Sequence, residues 1–250
     1  MSNDKITLAK ISDCTISRGN RLLIKNISLS ISVGESLAIL GPNGVGKTSF
    51  LRSIVGFEDP EYGKIHTEGG VAFLPQNFNL LSELSAIEMI LLGRVRDLKW
   101  YEYPNLRDLK IAQELLELLS MDKMESKPFS HLSGGQKQMV MIAQAIISGS
   151  KLLVLDEPSS ALDLKNQVKL FKFMKEIRKQ KGISLIFSTH DPNLAYHHSG
   201  KVVMLGFNSH IYGNSKEVMD ILSLKQVYEV KFEKIVSKTN KKDYFLNVNN

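Results

Sequence analysis

A glycine-rich loop constrains the fold of this 250-residue chain more than any other feature of its sequence. Residues 41–49 read GPNGVGKTS, directly after the apolar run 37–40 and at the start of the helix-like stretch SFLRSIVG. The pattern G-x-x-x-x-G-K-T joins a buried strand to a helix, and a chance match is expected in roughly one chain of this size per hundred. An ordinary glycine-rich turn is the simpler alternative. The strand and helix context favours an α/β protein with a phosphate-binding loop.

The rest of the chain agrees with an α/β fold. Three more short runs are apolar throughout, at residues 71–74, 152–155 and 183–187. Such runs are typical of strands buried on both faces, and therefore of a parallel sheet. The first forty residues alternate instead, most clearly at Ile24, Ile27, Leu29 and Ile31. This alternation predicts a layer of antiparallel strands.

Residues 84–125 are rich in Leu, Glu and Lys at helical spacing. They predict a helical subdomain, within which Pro104 separates two helices.

Polar residues follow each apolar run, where open α/β sheets bind their ligands. Lys47 can reach the β and γ phosphates of a nucleotide, and Thr48 can bind Mg²⁺. Asp156 can hold the water shell of Mg²⁺, and Glu157 could orient and deprotonate an attacking water. An ordinary acidic strand end is the alternative, which the phosphate loop makes improbable.

Gln76 and His190 follow two other runs. Gln76 could bind Mg²⁺ or the attacking water, and His190 could hydrogen-bond the γ-phosphate. Taken singly, each is more often a polar residue at the start of a loop with no chemical role. Their shared position at the edge of the sheet favours the functional interpretation.

Residues 131–146 read HLSGGQKQMVMIAQAI. Ser133 and Gln136 have the S-x-x-Q spacing of a capping box, which predicts a helix start. One face of this helix is apolar, at Met139, Ile142, Ala143 and Ile146. A well-capped helix is the simple interpretation. A capping box does not need Gly134 and Gly135 between its partners, however, and these glycines permit close approach to a helix N-terminus, where anions bind.

Composition limits the cellular environment and the binding partners that we expect for the protein. Cys14 is the only cysteine, so no intramolecular disulfide can form and a reducing, cytoplasmic environment fits best. The sequence has no signal-peptide core and no run of about 20 apolar residues, so any membrane role is expected to be peripheral. The net charge of +6 suits nucleic acid, anionic lipid or a phosphorylated ligand. A solvated charged face is its commonest explanation.

These motifs resemble those of the ABC ATPase family, in the expected order and over nearly all of residues 5–230. GPNGVGKT is similar to the family's phosphate loop, LSGGQ to its signature and LLVLDEP to its metal-and-base strand. Gln76 resembles the Q-loop glutamine, SALD at 160–163 the D-loop, and His190 the switch histidine.

The resemblance implies an α/β P-loop NTPase core with an N-terminal antiparallel β subdomain and an inserted helical subdomain. One ABC ATPase domain would span residues 1–250. Its β subdomain and RecA-like core would occupy about 1–80 and 150–225, the helical subdomain about 81–149, and a C-terminal tail 226–250.

The resemblance also implies ATP and Mg²⁺ as cofactors and a head-to-tail homodimer. Ser133 and Gly135 of one chain would contact the ATP that Lys47 of the other chain holds. The metal would be bound by Thr48, Gln76 and Asp156. The other expected nucleotide contacts are Gly41, Pro42, Asn43, Gly44, Val45, Gly46, Ser49, Gly134, Gln136 and Asp163.

Within the family, LLGR at 91–94, FSTHDPN and LKQVYEV look like the ATPases of importers for iron–siderophore, haem and cobalamin. Residues 63–76 also resemble the molybdate and tungstate branch. The partners would then be integral membrane permease subunits and, indirectly, a substrate-binding protein, with the chain peripheral on the cytoplasmic face of the inner membrane. No nucleic acid is expected. The alternatives are a soluble ABC ATPase acting on nucleic acid or ribosomes, and an exporter ATPase.

Three positions depart from the family pattern. Arg18 stands where family members usually carry an aromatic residue that stacks on adenine, and we hypothesise that its planar guanidinium stacks there instead. Gln144 stands where many relatives have Arg, and Ser159 where many have Thr.

Overall fold

The computed structural model describes residues 6–19, 21–77, 80–207 and 209–248. Its strands are β1 (Thr7–Arg18), β2 (Arg21–Ser32), β3 (Ser36–Leu40), β4 (Tyr62–Thr67), β5 (Val71–Leu74), β6 (Leu152–Leu155), β7 (Ser184–Thr189), β8 (Lys201–Leu205), β9 (His210–Asn214), β10 (Phe232–Val236) and β11 (Asp243–Asn247). Its α-helices are α1 (Lys47–Ile54), α2 (Ala86–Leu91), α3 (Leu106–Leu118), α4 (Gly134–Ile147), α5 (Leu164–Lys181), α6 (Pro192–His198), α7 (Ser215–Val218) and α8 (Ile221–Tyr228). Short 3-10 segments span Leu92–Asp97, Asp122–Met124 and Phe129–His131.

The chain divides into two compact units. The first contains the described residues up to Glu68 together with those from Ser184 onward, and the second contains residues 69–183. The second unit holds the helices α2 to α5 and also β5 and β6. The proposed limits of the helical subdomain, 81–149, stay a prediction.

An antiparallel sheet in the order β2-β1-β4 forms one layer of the first unit. The apolar residues that alternate along β2 are buried, because successive side chains of a strand point to opposite faces. These residues are Ile24, Ile27, Leu29 and Ile31. The predicted antiparallel layer is confirmed.

A second layer of the first unit contains β7, β3 and β8 as parallel neighbours, with β9 antiparallel to β8. Every residue of β3 is buried, as expected for a strand covered on both faces. The apolar run at 183–187 forms β7, Ser184–Thr189, which begins one residue later and ends two residues later than the run. Ser188 and Thr189 extend it because they pair with Ile39 and Leu40 and are themselves buried.

In the second unit β5 and β6 are parallel neighbours, and Leu74 pairs with Leu155. The break that Pro104 predicted is confirmed, since Pro104 lies between α2 and α3, and α3 begins at Leu106 with a capping box formed by Asn105 and Asp108. The predicted apolar face of α4 is also confirmed, because Met139, Ile142, Ala143 and Ile146 are all buried.

The segment 226–250, expected from its sequence only as a polar tail, contains regular structure in its described part. Tyr228 ends α8, and β10 and β11 then form an antiparallel hairpin. Phe232 and Phe245 are buried in this hairpin. Two buried rings among many charged and polar residues leave little periodic signal in the sequence.

None of the helices in the described ranges combines the length and the apolar content that spanning a bilayer requires.

Candidate nucleotide-binding site

The phosphate loop follows β3 and leads into α1, as the sequence predicts. Two of its glycines have positive φ, 77° at Gly44 and 116° at Gly46, where other residues are strained. A side chain on Gly46 would also collide with Leu23, and one on Gly41 would collide with the backbone of Leu205. Glycine is therefore required by the turn itself and by the close packing around it.

Lys47 is the first residue of α1 and is only 5% exposed. Its Nζ donates hydrogen bonds to the carbonyls of Gly41 at 2.9 Å and Pro42 at 3.1 Å. A buried ammonium group beside a helix N-terminus gives the loop positive potential, which favours a phosphate group.

The other loop residues divide by exposure. Val45 and Ser49 are buried, Pro42 is half-buried, and Asn43, Gly44 and Thr48 are exposed. The Val45 side chain therefore packs inside the protein, whereas Thr48 lies at the surface.

His190 follows β7 at the edge of the sheet from which the phosphate loop leaves. Leu40 pairs with Thr189, and the Gly41 N–H donates to the Thr189 carbonyl at 3.4 Å. Within the first unit the two strand ends therefore lie side by side, as the sequence predicts. The His190 side chain is exposed, and its backbone carbonyl accepts a hydrogen bond from the Tyr228 hydroxyl at 2.8 Å.

Two arginines face each other where β1 turns into β2, because Arg18 pairs with Arg21. Arg18, the residue expected to stack on adenine, is exposed. Arg21 donates from a guanidinium nitrogen to the Gly44 carbonyl at 3.3 Å and lies 5.1 Å from the centre of the Phe207 ring. Sequence reasoning missed Arg21, since no motif connects it to a loop 23 residues away.

Asp156 and Glu157 follow β6 in the second unit. Asp156 is 2% exposed, and its N–H donates to the Leu74 carbonyl at 2.9 Å. Glu157 is 9% exposed and has φ = 44°, a left-handed backbone that residues other than glycine rarely adopt. Gln76 Nε2 lies 3.5 Å from Glu157 Oε2, a long hydrogen bond. Within this unit the ends of β5 and β6 therefore lie side by side, and the Gln76 and Glu157 side chains meet there.

The predicted capping box at the start of α4 is confirmed. The Gln136 N–H donates to Ser133 Oγ at 3.3 Å, and the Ser133 N–H donates to Gln136 Oε1 at 2.9 Å. The two glycines between them differ. A Cβ on Gly134 would meet no atom within 4 Å, whereas one on Gly135 would crowd Leu162. Gly135 therefore has a packing role inside the chain, and Gly134 faces open space.

Asp163 caps α5, because its carboxylate accepts from the Asn166 N–H at 2.7 Å. The preceding Leu162 and Ser159 carbonyls accept hydrogen bonds from Gln167 Nε2, each at 3.2 Å. These bonds fix the segment that resembles the D-loop.

Gln144 has a structural role that the sequence did not reveal. Its Nε2 donates to the Met89 carbonyl at 2.7 Å, which ties α4 to α2. A side chain on Gly93 would collide with the Gln144 carbonyl and with Ile147. Glycine at position 93 thus permits close contact between α4 and the 3-10 segment Leu92–Asp97.

The residues proposed for Mg²⁺ suit its preferences. The described residues contain no group of three or more His, Cys, Asp or Glu side chains arranged around a metal position. Mg²⁺ does not need one, because it is commonly held by one or two protein oxygens together with water and phosphate oxygens. The buried carboxylate of Asp156 and the hydroxyl of Thr48, a surface residue, are donors of this kind.

A glycine-rich loop with a buried lysine, followed in the chain by an aspartate–glutamate pair after a buried strand, defines a P-loop nucleotide-binding protein. The family model for the ABC transporter matches residues 24–160. A molybdate import ATP-binding protein from Haemophilus influenzae is 30% identical over 213 residues, which cover 85% of this chain and 84% of that protein. The chain belongs to the ABC transporter family and is an ATPase.

Solved structures give the same fold. One, described as a metal-chelate type ABC transporter in an inward-facing conformation, is 26% identical with a TM-score of 0.89 and covers 97% of this chain and 98% of that one. Another is a dimeric ATP-binding cassette in a post-hydrolysis state with ADP and phosphate. It is 25% identical with a TM-score of 0.69, and covers 82% of this chain and 98% of that one. The predicted α/β fold class and family are confirmed.

Proposed function

We propose that this chain is the energy-coupling ATPase subunit of an importer, whose cargo is a metal chelate or an oxyanion such as molybdate or tungstate. The observation that carries this proposal is the 30% identity to a molybdate import ATP-binding protein along most of both chains. The likeness to a metal-chelate type transporter at a TM-score of 0.89 supports the same group of cargoes.

The chemistry is hydrolysis of the β–γ phosphoanhydride bond of ATP. The backbone N–H groups of residues 41–49 and Lys47 bind the phosphates and stabilise the charge that develops on them. Glu157 accepts a proton from the attacking water as a general base. His190 donates a hydrogen bond to the γ-phosphate, and Gln76 orients the water.

Thr48 and Asp156 would hold Mg²⁺, with Gln76 as a further oxygen donor. The metal supplies Lewis-acid polarisation and charge neutralisation to the phosphate oxygens when it is bound. Arg18 would contact the adenine.

Function would require two chains arranged head to tail. Ser133, Gly134, Gly135 and Gln136 of one chain, with Asp163, would contact the ATP held by the other. The open space around Gly134 supports this arrangement, because an outside phosphate can approach the start of α4 there. Binding of ATP would then favour the closed pair and hydrolysis the open pair. The pair would lie on the cytoplasmic face of the membrane, bound to permease subunits that engage a substrate-binding protein.

Reconstitution tests this proposal. The chain is assembled in liposomes with the permease that co-purifies with it, and ATP hydrolysis and cargo uptake are measured together. We expect the permease and its loaded binding protein to stimulate hydrolysis and to allow uptake. Lys47→Ala is the control, which should lose both activities because ATP binding itself is weakened. Hydrolysis that is stimulated by DNA or ribosomes and never by a permease would contradict the importer and favour a soluble ATPase.

A further inference from the structure

The C-terminal hairpin, β10 and β11, packs against α6, the helix that begins two residues after His190. All of these elements belong to the first unit. Because α6 has only seven residues, its own hydrogen bonds cannot hold it in place, and its orientation depends on its packing partners.

Asn193 makes the most specific contact between α6 and the hairpin. Its Nδ2 donates to the Phe245 carbonyl at 3.0 Å, and its Oδ1 accepts from the Phe245 N–H at 2.8 Å. The side-chain amide thus pairs with the main chain of β11 as a neighbouring strand would. Both bonds are half-buried, so water competes with them less than at an open surface.

A second contact surrounds Tyr196, one turn further along α6. The Phe245 ring, 2% exposed, meets the Tyr196 ring edge-on at 5.2 Å. The Tyr196 hydroxyl donates to Asp243 at 2.9 Å, and Lys234 forms an ion pair with the same carboxylate at 2.9 Å. Lys234, and then the Tyr196 hydroxyl, hold the pKa of Asp243 below its usual range, so its carboxylate keeps its charge to a lower pH than an ordinary aspartate.

The start of α6 is tied directly to the backbone around His190. The Asp191 carboxylate caps α6 by accepting from the Asn193 N–H at 2.7 Å, and the Asp191 N–H donates to the Thr189 hydroxyl at 3.1 Å. Tyr228, the last residue of α8, also contacts this backbone, because its hydroxyl donates to the His190 carbonyl at 2.8 Å. The Tyr228 ring lies 5.7 Å from that of Phe232 in β10. The hairpin is therefore connected to His190 by two indirect routes, one through α6 and one through Tyr228 of α8.

We infer that the C-terminal hairpin is a positioning element for His190. It fixes α6 through Asn193 and Tyr196 and the backbone of His190 through Tyr228. This inference rests on the role in hydrolysis proposed above for His190. Asn193 and Phe245 are then positioning residues, which act on the reaction only through His190.

The experiment compares Asn193→Ala and Phe245→Ala with Val236→Ala, a hairpin substitution at an exposed side chain. Amide hydrogen exchange of residues 190–198 is measured first. Loss of two half-buried hydrogen bonds should speed this exchange about tenfold in Asn193→Ala, while Val236→Ala matches the wild type.

Steady-state hydrolysis is measured next. We expect kcat to fall by about threefold to tenfold in Asn193→Ala and Phe245→Ala, with an unchanged KM for ATP. In a His190→Ala background the same substitutions should lower the residual single-turnover rate no further, since residues that act through one group are not additive.

Unchanged exchange at 190–198, or faster exchange with an unchanged kcat, would overturn the inference. An equal further loss of rate in the His190→Ala background would also overturn it, because the hairpin would then act elsewhere. A wild-type chain that binds ATP and never hydrolyses it would contradict the proposed function instead. The exchange measurement would still decide whether the hairpin holds α6.

Discussion

In both the phosphate loop and the C-terminal hairpin, a polar side chain forms hydrogen bonds with the main chain. The two cases differ in how far apart in the sequence the bonded residues are. Lys47 binds the carbonyls of Gly41 and Pro42, at most six residues away. Asn193 binds the main chain of Phe245, 52 residues away. The loop is thus formed by its own sequence, whereas the hairpin contact exists only once the first unit has folded. We therefore expect substitutions of the predicted nucleotide-binding residues that follow the strands to change ATP binding or hydrolysis directly. Substitutions at buried positions of the hairpin should instead change the position of His190 and the stability of the first unit.

The strongest test of that contrast is Glu157→Gln. We expect kcat to fall by about 100-fold or more, because general-base catalysis commonly contributes that much. ATP affinity should be retained and the closed dimer should accumulate, as measured by equilibrium binding and size-exclusion chromatography. Glu233→Gln, on the exposed side of β10, is the matched control and should behave as wild type. Rapid multiple turnover by Glu157→Gln would remove Glu157 from the base role.

A smaller effect on ligand affinity should distinguish Arg18 from Arg21, which pair where β1 meets β2. Arg18→Ala should weaken ATP binding about fivefold and leave binding of inorganic triphosphate unchanged, since the expected contact is with the base. Arg21→Ala should weaken both ligands by similar, smaller factors, because Arg21 binds the Gly44 carbonyl of the loop. Calorimetric titration of each variant with both ligands measures this. If Arg18→Ala leaves ATP affinity unchanged, the stacking hypothesis is wrong.

The smallest effect concerns His197, whose ring lies 4.9 Å from that of Tyr244 in β11. Burial, and then the charges of Lys216 and Lys242, lower the pKa of His197, although Asp243 acts in the opposite direction. The unfolded chain therefore takes up a proton at this residue more readily than the folded chain does. Stability should accordingly fall as the pH drops through about 6.5, the ordinary value.

Chemical denaturation at about pH 7.5 and about pH 5.5 measures this dependence. The loss of unfolding free energy at the lower pH should be smaller in His197→Gln than in the wild type. A residual loss is expected, because burial also lowers the pKa of His210. His131→Gln, at an exposed side chain, is the control and should match the wild type. Equal losses in His197→Gln and the wild type would exclude His197 as the group responsible.

The difference between short-range and long-range contacts also explains which features could be predicted from the sequence. The phosphate loop, the capping box at Ser133 and the apolar strands depend on spacing within about ten residues, and periodicity records them. The contacts of Arg21 with Gly44, of Gln144 with Met89 and of Asn193 with Phe245 join residues 23, 55 and 52 positions apart. Such pairs leave no local pattern in one sequence. The hairpin was missed for this reason, and because its two buried phenylalanines stand among charged residues.

At position 157 the proposed reaction requires a glutamate, whereas the left-handed backbone is most easily adopted by glycine. A left-handed conformation costs a residue with a side chain about 1 kcal/mol that glycine does not lose, so Glu157→Gly should relieve this backbone strain while removing the proposed base. Backbone strain and the proposed base role therefore favour different residues at this position. If a lineage of such chains no longer needed to hydrolyse ATP, we would expect glycine or asparagine to replace this glutamate early.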